Sequence, residues 1–152
     1  MKWKFFVLLT IAAGLIACDK SKYNTKPSLK LRHINSYEIP VNGSMVIEFD
    51  YTDKEGDISN QLILKKERNN KRKVATIRDS LALPVPDFPK FKQGVVEANL
   101  GYQLYLISAQ NPPTTGNPPR AESDSLTLKF VLKDKADNVS DTVVIENVII
   151  HR

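Results

Sequence analysis

Apolar and polar residues alternate along most of the chain after Ser28. The clearest runs are 45–51, 100–106 and 126–132, in which every second residue is apolar. A period of two is typical of an antiparallel strand that has one face on a core and the other in water. No stretch shows the spacing of an amphipathic helix. The pattern therefore predicts an all-β protein.

We predict seven strands, at 29–34, 44–52, 61–67, 73–77, 95–108, 125–133 and 142–151. The apolar phase of the last strand changes between Ile145 and Val148, which predicts a bulge near Glu146 and Asn147. Seven short strands are typical of an antiparallel immunoglobulin-like or fibronectin-like sandwich, and another small sandwich or an open barrel is the alternative. The antibody type is excluded because its pair of cysteines is absent.

The first residues have the layout of a secretory signal. Lys2 and Lys4 precede Phe5–Ala17, which carries no charge. A basic start followed by about 7–15 apolar residues is typical of a signal peptide, whereas a membrane span needs about 20. We therefore predict a cleaved signal peptide at 1–17, a tether at 18–28 and a β-sandwich domain at 29–152.

The signal ends with the sequence Leu15-Ile16-Ala17-Cys18, which resembles the lipobox of bacterial lipoproteins. The resemblance implies that Cys18, the only cysteine of the chain, is acylated on sulfur and becomes the new N-terminus. Several acyl chains would hold the protein on a membrane essentially permanently. The alternative is an ordinary signal peptide followed by an incidental cysteine.

The residues after Cys18 bear on the location. Cys18, Asp19 and Lys20 resemble the start of lipoproteins from Bacteroidetes-like bacteria, which implies a lipid anchor in the outer membrane, on its periplasmic or surface side. In enterobacteria an Asp at this place would imply retention in the inner membrane instead.

Composition and charge make some classes of function less expected. The apolar share of 41% and the charged share of 26% are those of a globular chain. Cleavage would remove Lys2 and Lys4 and lower the formal charge from +5 to +3, so we expect no nucleic-acid partner. The two histidines, His33 and His151, have no Ser or Cys partner in a recognisable motif, and no phosphate-binding loop is present. We therefore expect no enzymatic activity.

Two acidic segments fall at strand ends that meet in a sandwich of this type. They are 53–57 (DKEGD) and 134–138 (DKADN), with Asp141 close behind. Ca²⁺ prefers six to eight oxygen ligands, so calcium is a candidate cofactor. The segments also resemble acidic turns of Ig-like and cadherin-like domains in bacterial surface lipoproteins, where Asp and Asn often only form turns. The candidate ligands are Asp53, Glu55, Asp57, Asp134, Asp137, Asn138 and Asp141.

Three further segments offer contact surfaces. Residues 83–89 and 111–119 are rich in proline, which predicts loops or edges. Six of the nine residues at 65–73 are basic, which suits either an anionic partner or a solvated turn. We predict a lipid-anchored, non-enzymatic binding or structural module whose partner is an unknown envelope protein or glycan. The alternative is a calcium-dependent accessory lipoprotein for glycan binding or adhesion.

Overall fold

A computed structural model describes residues 24–152. The predicted signal peptide, Cys18 and the first part of the tether lie outside the described residues. The described part contains ten strands and one π-helical turn, Tyr102–Leu106. The strands are β1 (Ser28–Ile34), β2 (Glu38–Ile39), β3 (Ser44–Thr52), β4 (Gln61–Arg68), β5 (Ser80–Pro84), β6 (Gln93–Gly101), β7 (Thr114–Thr115), β8 (Arg120–Ala121), β9 (Asp124–Lys133) and β10 (Val143–Ile150).

Two sheets form a β-sandwich, which confirms the predicted all-β class, although the described residues form ten strands rather than the seven predicted. One sheet has the order β1-β3-β6, and the other has the order β2-β10-β9-β4-β5. All neighbours are antiparallel except β2 and β10, which are parallel. The rings of Phe49 on β3 and Phe130 on β9 meet between the sheets, with centroids 4.9 Å apart. No helix within residues 24–152 is long and apolar enough to cross a membrane.

The alternation seen in the sequence produces the core. On β3 the buried side chains are Met45, Ile47, Phe49 and Tyr51, and β9 likewise buries every second residue. Complete burial of such a side chain stabilises the folded state by about 1.5–3 kcal/mol. The facing runs on β3 and β9 are therefore the main reason why the two sheets pack together.

The predicted bulge in the last strand is confirmed. The pairing of β10 with β9 shifts register between Ile145 and Val148. Asn147 adopts a positive φ of 60°, a conformation that Asn tolerates better than most residues. The extra residues allow Ile145 and Val148 to face the core together.

The predicted strand at 73–77 is wrong. The edge partner of β4 is β5, and within 73–77 only Thr76 forms an isolated bridge, to Ala109. Leu81 and Leu83 of β5 pack against the core, whereas within 73–77 Ile77 is the one side chain that does so. Pro84 ends this edge strand, a place where its missing N–H is tolerated, in agreement with the predicted loop or edge.

The single strand predicted at 95–108 is also wrong in its second half. The ladder ends at Gly101, because its partner β3 begins at Ser44, the residue that faces Gly101. The chain then forms the π-helical turn, in which Tyr102 stays in the core and donates a hydrogen bond to the carbonyl oxygen of His151 at 2.7 Å. The proline-rich segment at 111–119 belongs to a hairpin in which β7 pairs with β8.

Candidate metal centre

Asp53 follows β3 directly and organises the loop behind it. Its side chain is fully buried, and its Oδ2 accepts hydrogen bonds from the backbone N–H of Gly56 at 2.6 Å and of Asp57 at 3.1 Å. Gly56 has a positive φ of 68°, and a Cβ there would lie 3.1 Å from the backbone of Lys90 and Phe91. The Asp and the Gly together therefore fix this loop.

Asp134 follows β9 in the same way. Its Oδ1 accepts a hydrogen bond from the backbone N–H of Asn138 at 2.8 Å, and its Oδ2 accepts one from the Asn138 side chain, also at 2.8 Å. The side chain of Asn60 donates to the Asp134 carbonyl oxygen at 2.7 Å, which ties this loop to the start of β4. Asp53 and Asp134 thus perform the turn-forming role that the sequence suggests for such residues.

Three of the predicted ligands come together between these loops. One carboxylate oxygen from each of Asp53, Asp57 and Asp134 lies within 4.8 Å of the other two. Asp53 and Asp134 are buried, while Asp57 is half-buried and gives the cluster access to solvent. The structure therefore joins the two acidic segments, one from each sheet, at one end of the sandwich.

The remaining predicted ligands do not join the cluster. Asp137 is paired with Lys133 at 2.7 Å and Asp141 with Lys26 at 2.6 Å. Glu55 is exposed and accepts a hydrogen bond from the Thr25 hydroxyl at 3.4 Å. Asn138 supports Asp134, as described above. Lysines thus neutralise Asp137 and Asp141. Within residues 24–152 no Lys or Arg forms an ion pair with Asp53, Asp57 or Asp134.

Two carboxylate oxygens of the cluster have no partner. Asp53 Oδ1 and Asp57 Oδ1 are buried and accept no hydrogen bond from the described residues. Burial raises the pKa of Asp53, and the charge of Asp57 and the close approach of its carboxyl group add to this rise, while the two backbone N–H donors act in the opposite direction. A buried carboxylate that lacks part of its partners is costly unless it takes up a proton or a cation.

The described end of the tether lies at this same end of the sandwich. The backbone N–H of Lys54 donates to the carbonyl oxygen of Asn24 at 3.1 Å, and Lys26 pairs with Asp141. Pro27 is buried, and Ser28 is already part of β1, opposite Thr52 of β3. Residues 24–28 of the predicted tether therefore contact the domain.

The opposite end of the sandwich is basic. The turn after β4 carries Lys71, Arg72 and Lys73, all exposed, and Arg120 of β8 is exposed beside it. Arg72 donates to the carbonyl oxygen of Thr114 at 3.2 Å, so the basic turn contacts the β7-β8 hairpin. The basic turn and the proline-rich segment at 111–119, which are separate in sequence, thus form one surface.

One group of polar residues at the basic end was not expected from the sequence. The Ser123 hydroxyl lies 3.3 Å from Nδ1 of His151, and Nε2 of the same ring lies 3.5 Å from a Glu38 carboxylate oxygen. The order Ser, His, Glu is that of a hydrolase triad, but His151 and Glu38 are 48% and 74% exposed. A catalytic His is held by a buried carboxylate, so this exposed arrangement lacks the support that a nucleophile needs. His33 is exposed on β1.

Comparison with known proteins finds no match: no family model, no curated protein and no solved structure matches this chain.

Proposed function

We propose that this chain is a lipid-anchored protein of the cell envelope, and that its Ig-like β-sandwich is a non-enzymatic module which binds a partner at the basic end. The observation that supports this proposal is the position of the tether. Asn24 and Lys26 contact the acidic loops, so an anchor at Cys18 would hold the acidic end nearer to the membrane.

The length of β3 shows how far the basic end lies from the tether. β3 begins at the basic end and ends beside the tether, and its nine residues span about 30 Å at about 3.3 Å per residue. The basic turn and the β7-β8 hairpin therefore face away from the anchoring membrane. An anionic polymer that extends beyond the membrane surface, such as an acidic polysaccharide, has the charge that suits this surface.

The anchor is tested by the fate of Cys18. We expect the native chain to partition into the detergent phase and its N-terminal peptide to carry the mass of the acyl chains. Cys18→Ala should shift the chain to the aqueous phase. Native protein in the soluble fraction with an unmodified Cys18 would overturn the anchor.

The binding surface is tested with the full chain in non-ionic detergent and a soluble acidic polysaccharide, polygalacturonate, as the probe. The variant Lys71→Glu/Lys73→Glu/Arg120→Glu should lose at least about tenfold in affinity, because each contact near an anionic surface contributes about 1 kcal/mol. The matched control, Lys54→Glu/Lys90→Glu/Lys92→Glu, carries the same change in charge on exposed lysines at the tether end. Equal losses of affinity in both variants would show that the net charge of the chain, and not this surface, causes the effect.

The alternative function, calcium-dependent glycan binding, would need aromatic rings on which a sugar stacks. Among the described residues the exposed rings are Tyr37 and Phe91. The Tyr37 carbonyl oxygen accepts from Ile149 near the basic end, whereas the Phe91 carbonyl oxygen accepts from Tyr51 near the tether. The two rings therefore lie at opposite ends, and only the calcium part of this alternative has an observation in its favour.

A further inference from the structure

We propose that Asp53, Asp57 and Asp134 bind one Ca²⁺ ion, which joins the loop after β3 to the loop after β9 at the tether end of the sandwich. This inference does not depend on the lipid anchor or on the basic surface. It concerns only the acidic end of the domain.

The first argument is the unbalanced charge. Three carboxylates contribute oxygens within 4.8 Å of one another, and the nearby lysines pair with other acids. A divalent cation offsets two of the three negative charges while leaving each carboxylate ionised.

The second argument is independent of the clustering. Asp53 has no exposed surface, yet its Oδ1 has no hydrogen-bond partner, and Asp57 Oδ1 is buried in the same condition. The other oxygen of Asp53 is already engaged by two backbone N–H groups, which hold the carboxylate in place. The orphaned oxygen of Asp53 therefore belongs to a positioned side chain that still has a lone pair to offer.

The chemistry of the donors selects the ion. All three side chains offer oxygen, whereas Zn²⁺ and similar metals favour nitrogen and sulfur ligands. Ca²⁺ binds oxygens at about 2.3–2.6 Å, so its coordination sphere is roughly 5 Å across and accommodates the 4.8 Å span of the cluster. Mg²⁺, with ligands at about 2.0–2.1 Å, needs a tighter octahedral arrangement. The half-buried Asp57 side leaves room for water to complete the coordination.

The site would connect the two sheets. Asp53 and Asp57 follow β3 of the three-stranded sheet, and Asp134 follows β9 of the five-stranded sheet. The ion would therefore hold the two loops, one from each sheet, together. We expect its binding to stabilise the folded state.

The test uses the full chain, freed of metal and kept in non-ionic detergent, with CaCl₂ as the ligand. We expect one Ca²⁺ per chain by calorimetry, and at a hundredfold excess over Kd a rise in Tm of roughly 5–15 °C relative to EDTA. MgCl₂ at the same concentration should give a clearly smaller rise.

Asp57→Asn is the decisive variant. The Asp57 carboxylate accepts no hydrogen bond from the described residues at its buried Oδ1, and the amide has nearly the same shape, so the loop should keep its fold. We expect Asp57→Asn to weaken Ca²⁺ binding at least about tenfold and, in EDTA, to raise Tm because it relieves repulsion. The matched control is Asp141→Asn, an acid of the same end that lies outside the cluster, and it should bind within about twofold of the native chain.

Three results would overturn the proposal. They are an unchanged Tm at about 10–100 mM Ca²⁺, a hundredfold excess over the Kd of extracellular calcium modules, equal losses of affinity in Asp57→Asn and Asp141→Asn, and an equal response to Mg²⁺. The first would leave a proton shared within the cluster as the explanation of the orphaned oxygens. None of these results bears on the acylation of Cys18, so the two proposals fail separately.

Discussion

Replacement of Lys66 by Met should remove a pH dependence of stability that the structure assigns to this side chain. Lys66 lies on β4, is 4% exposed, and donates from Nζ to the carbonyl oxygen of Ile107 at 2.8 Å. Burial, and then the charge of Arg78, lowers the pKa of Lys66 from 10.5 to about 8, while Asp124 and Asp79 act in the opposite direction. The native protein therefore disfavours the charged form of this lysine.

The sign of the effect follows from proton linkage. Between about pH 8 and pH 10.5 the unfolded chain holds the proton of Lys66 and the folded chain has released it, so the free energy of unfolding rises with pH in this window. Below pH 8 both states hold the proton, and the buried charge of Lys66 lowers the free energy of unfolding by its full amount. From about pH 7 to about pH 9.5 the expected gain is about 2 kcal/mol.

The assay is urea unfolding of the native chain and of Lys66→Met at several pH values. We expect the difference in unfolding free energy between the two chains to change by about 2 kcal/mol across this range, because other titrating groups cancel in the difference. The absolute stability at pH 7 is not decisive, since Met removes the penalty of the buried charge but leaves the Ile107 carbonyl oxygen without its donor. A difference that stays constant with pH would refute the reasoning.

Two further predictions concern the buried Asp124 and the bulge of β10. Asp124→Asn should destabilise the fold by about 3–5 kcal/mol in chemical denaturation. Asp124 is fully buried, pairs with Arg68 at 3.0 Å and accepts a hydrogen bond from the backbone N–H of Ser108 at 3.0 Å. A loss of stability below about 1 kcal/mol would contradict this role. Asn147→Gly should change stability by less than about 0.5 kcal/mol, whereas Asn147→Val should cost about 1–3 kcal/mol at the positive φ of the bulge; equal stabilities of the two variants would argue against that backbone conformation.

The elements that the sequence predicts best are those with long alternation. The boundaries predicted for β3 and β9 agree with the structure to within one residue, because every second residue of each strand enters the core. The position of β5 could not be read in this way. It is a short edge strand whose pairing depends on β4 and on the packing of Leu81 and Leu83, both of which are non-local.

The candidate site was predictable only in part, for the same reason. Asp53 and Asp134 follow well-predicted strands directly, so their positions follow from the fold. Asp137 and Asp141 lie further along the loop, where the local backbone turns them toward lysines instead. The contact of Ser123 with His151 joins residues that are 28 positions apart, and no local pattern indicates it.

The proposed calcium site and the proposed anchor both involve the loop that follows β3. The loop that holds Asp53 and Asp57 also contains Lys54, whose backbone N–H binds Asn24, the first described residue of the tether. A Ca²⁺ ion that orders this loop would therefore also order the attachment of the tether. Extracellular calcium modules have Kd values of about 10⁻⁴–10⁻³ M, close to the calcium levels outside cells. Where calcium is abundant, the anchored domain would be held more firmly on its tether, and its basic end would point away from the membrane for more of the time.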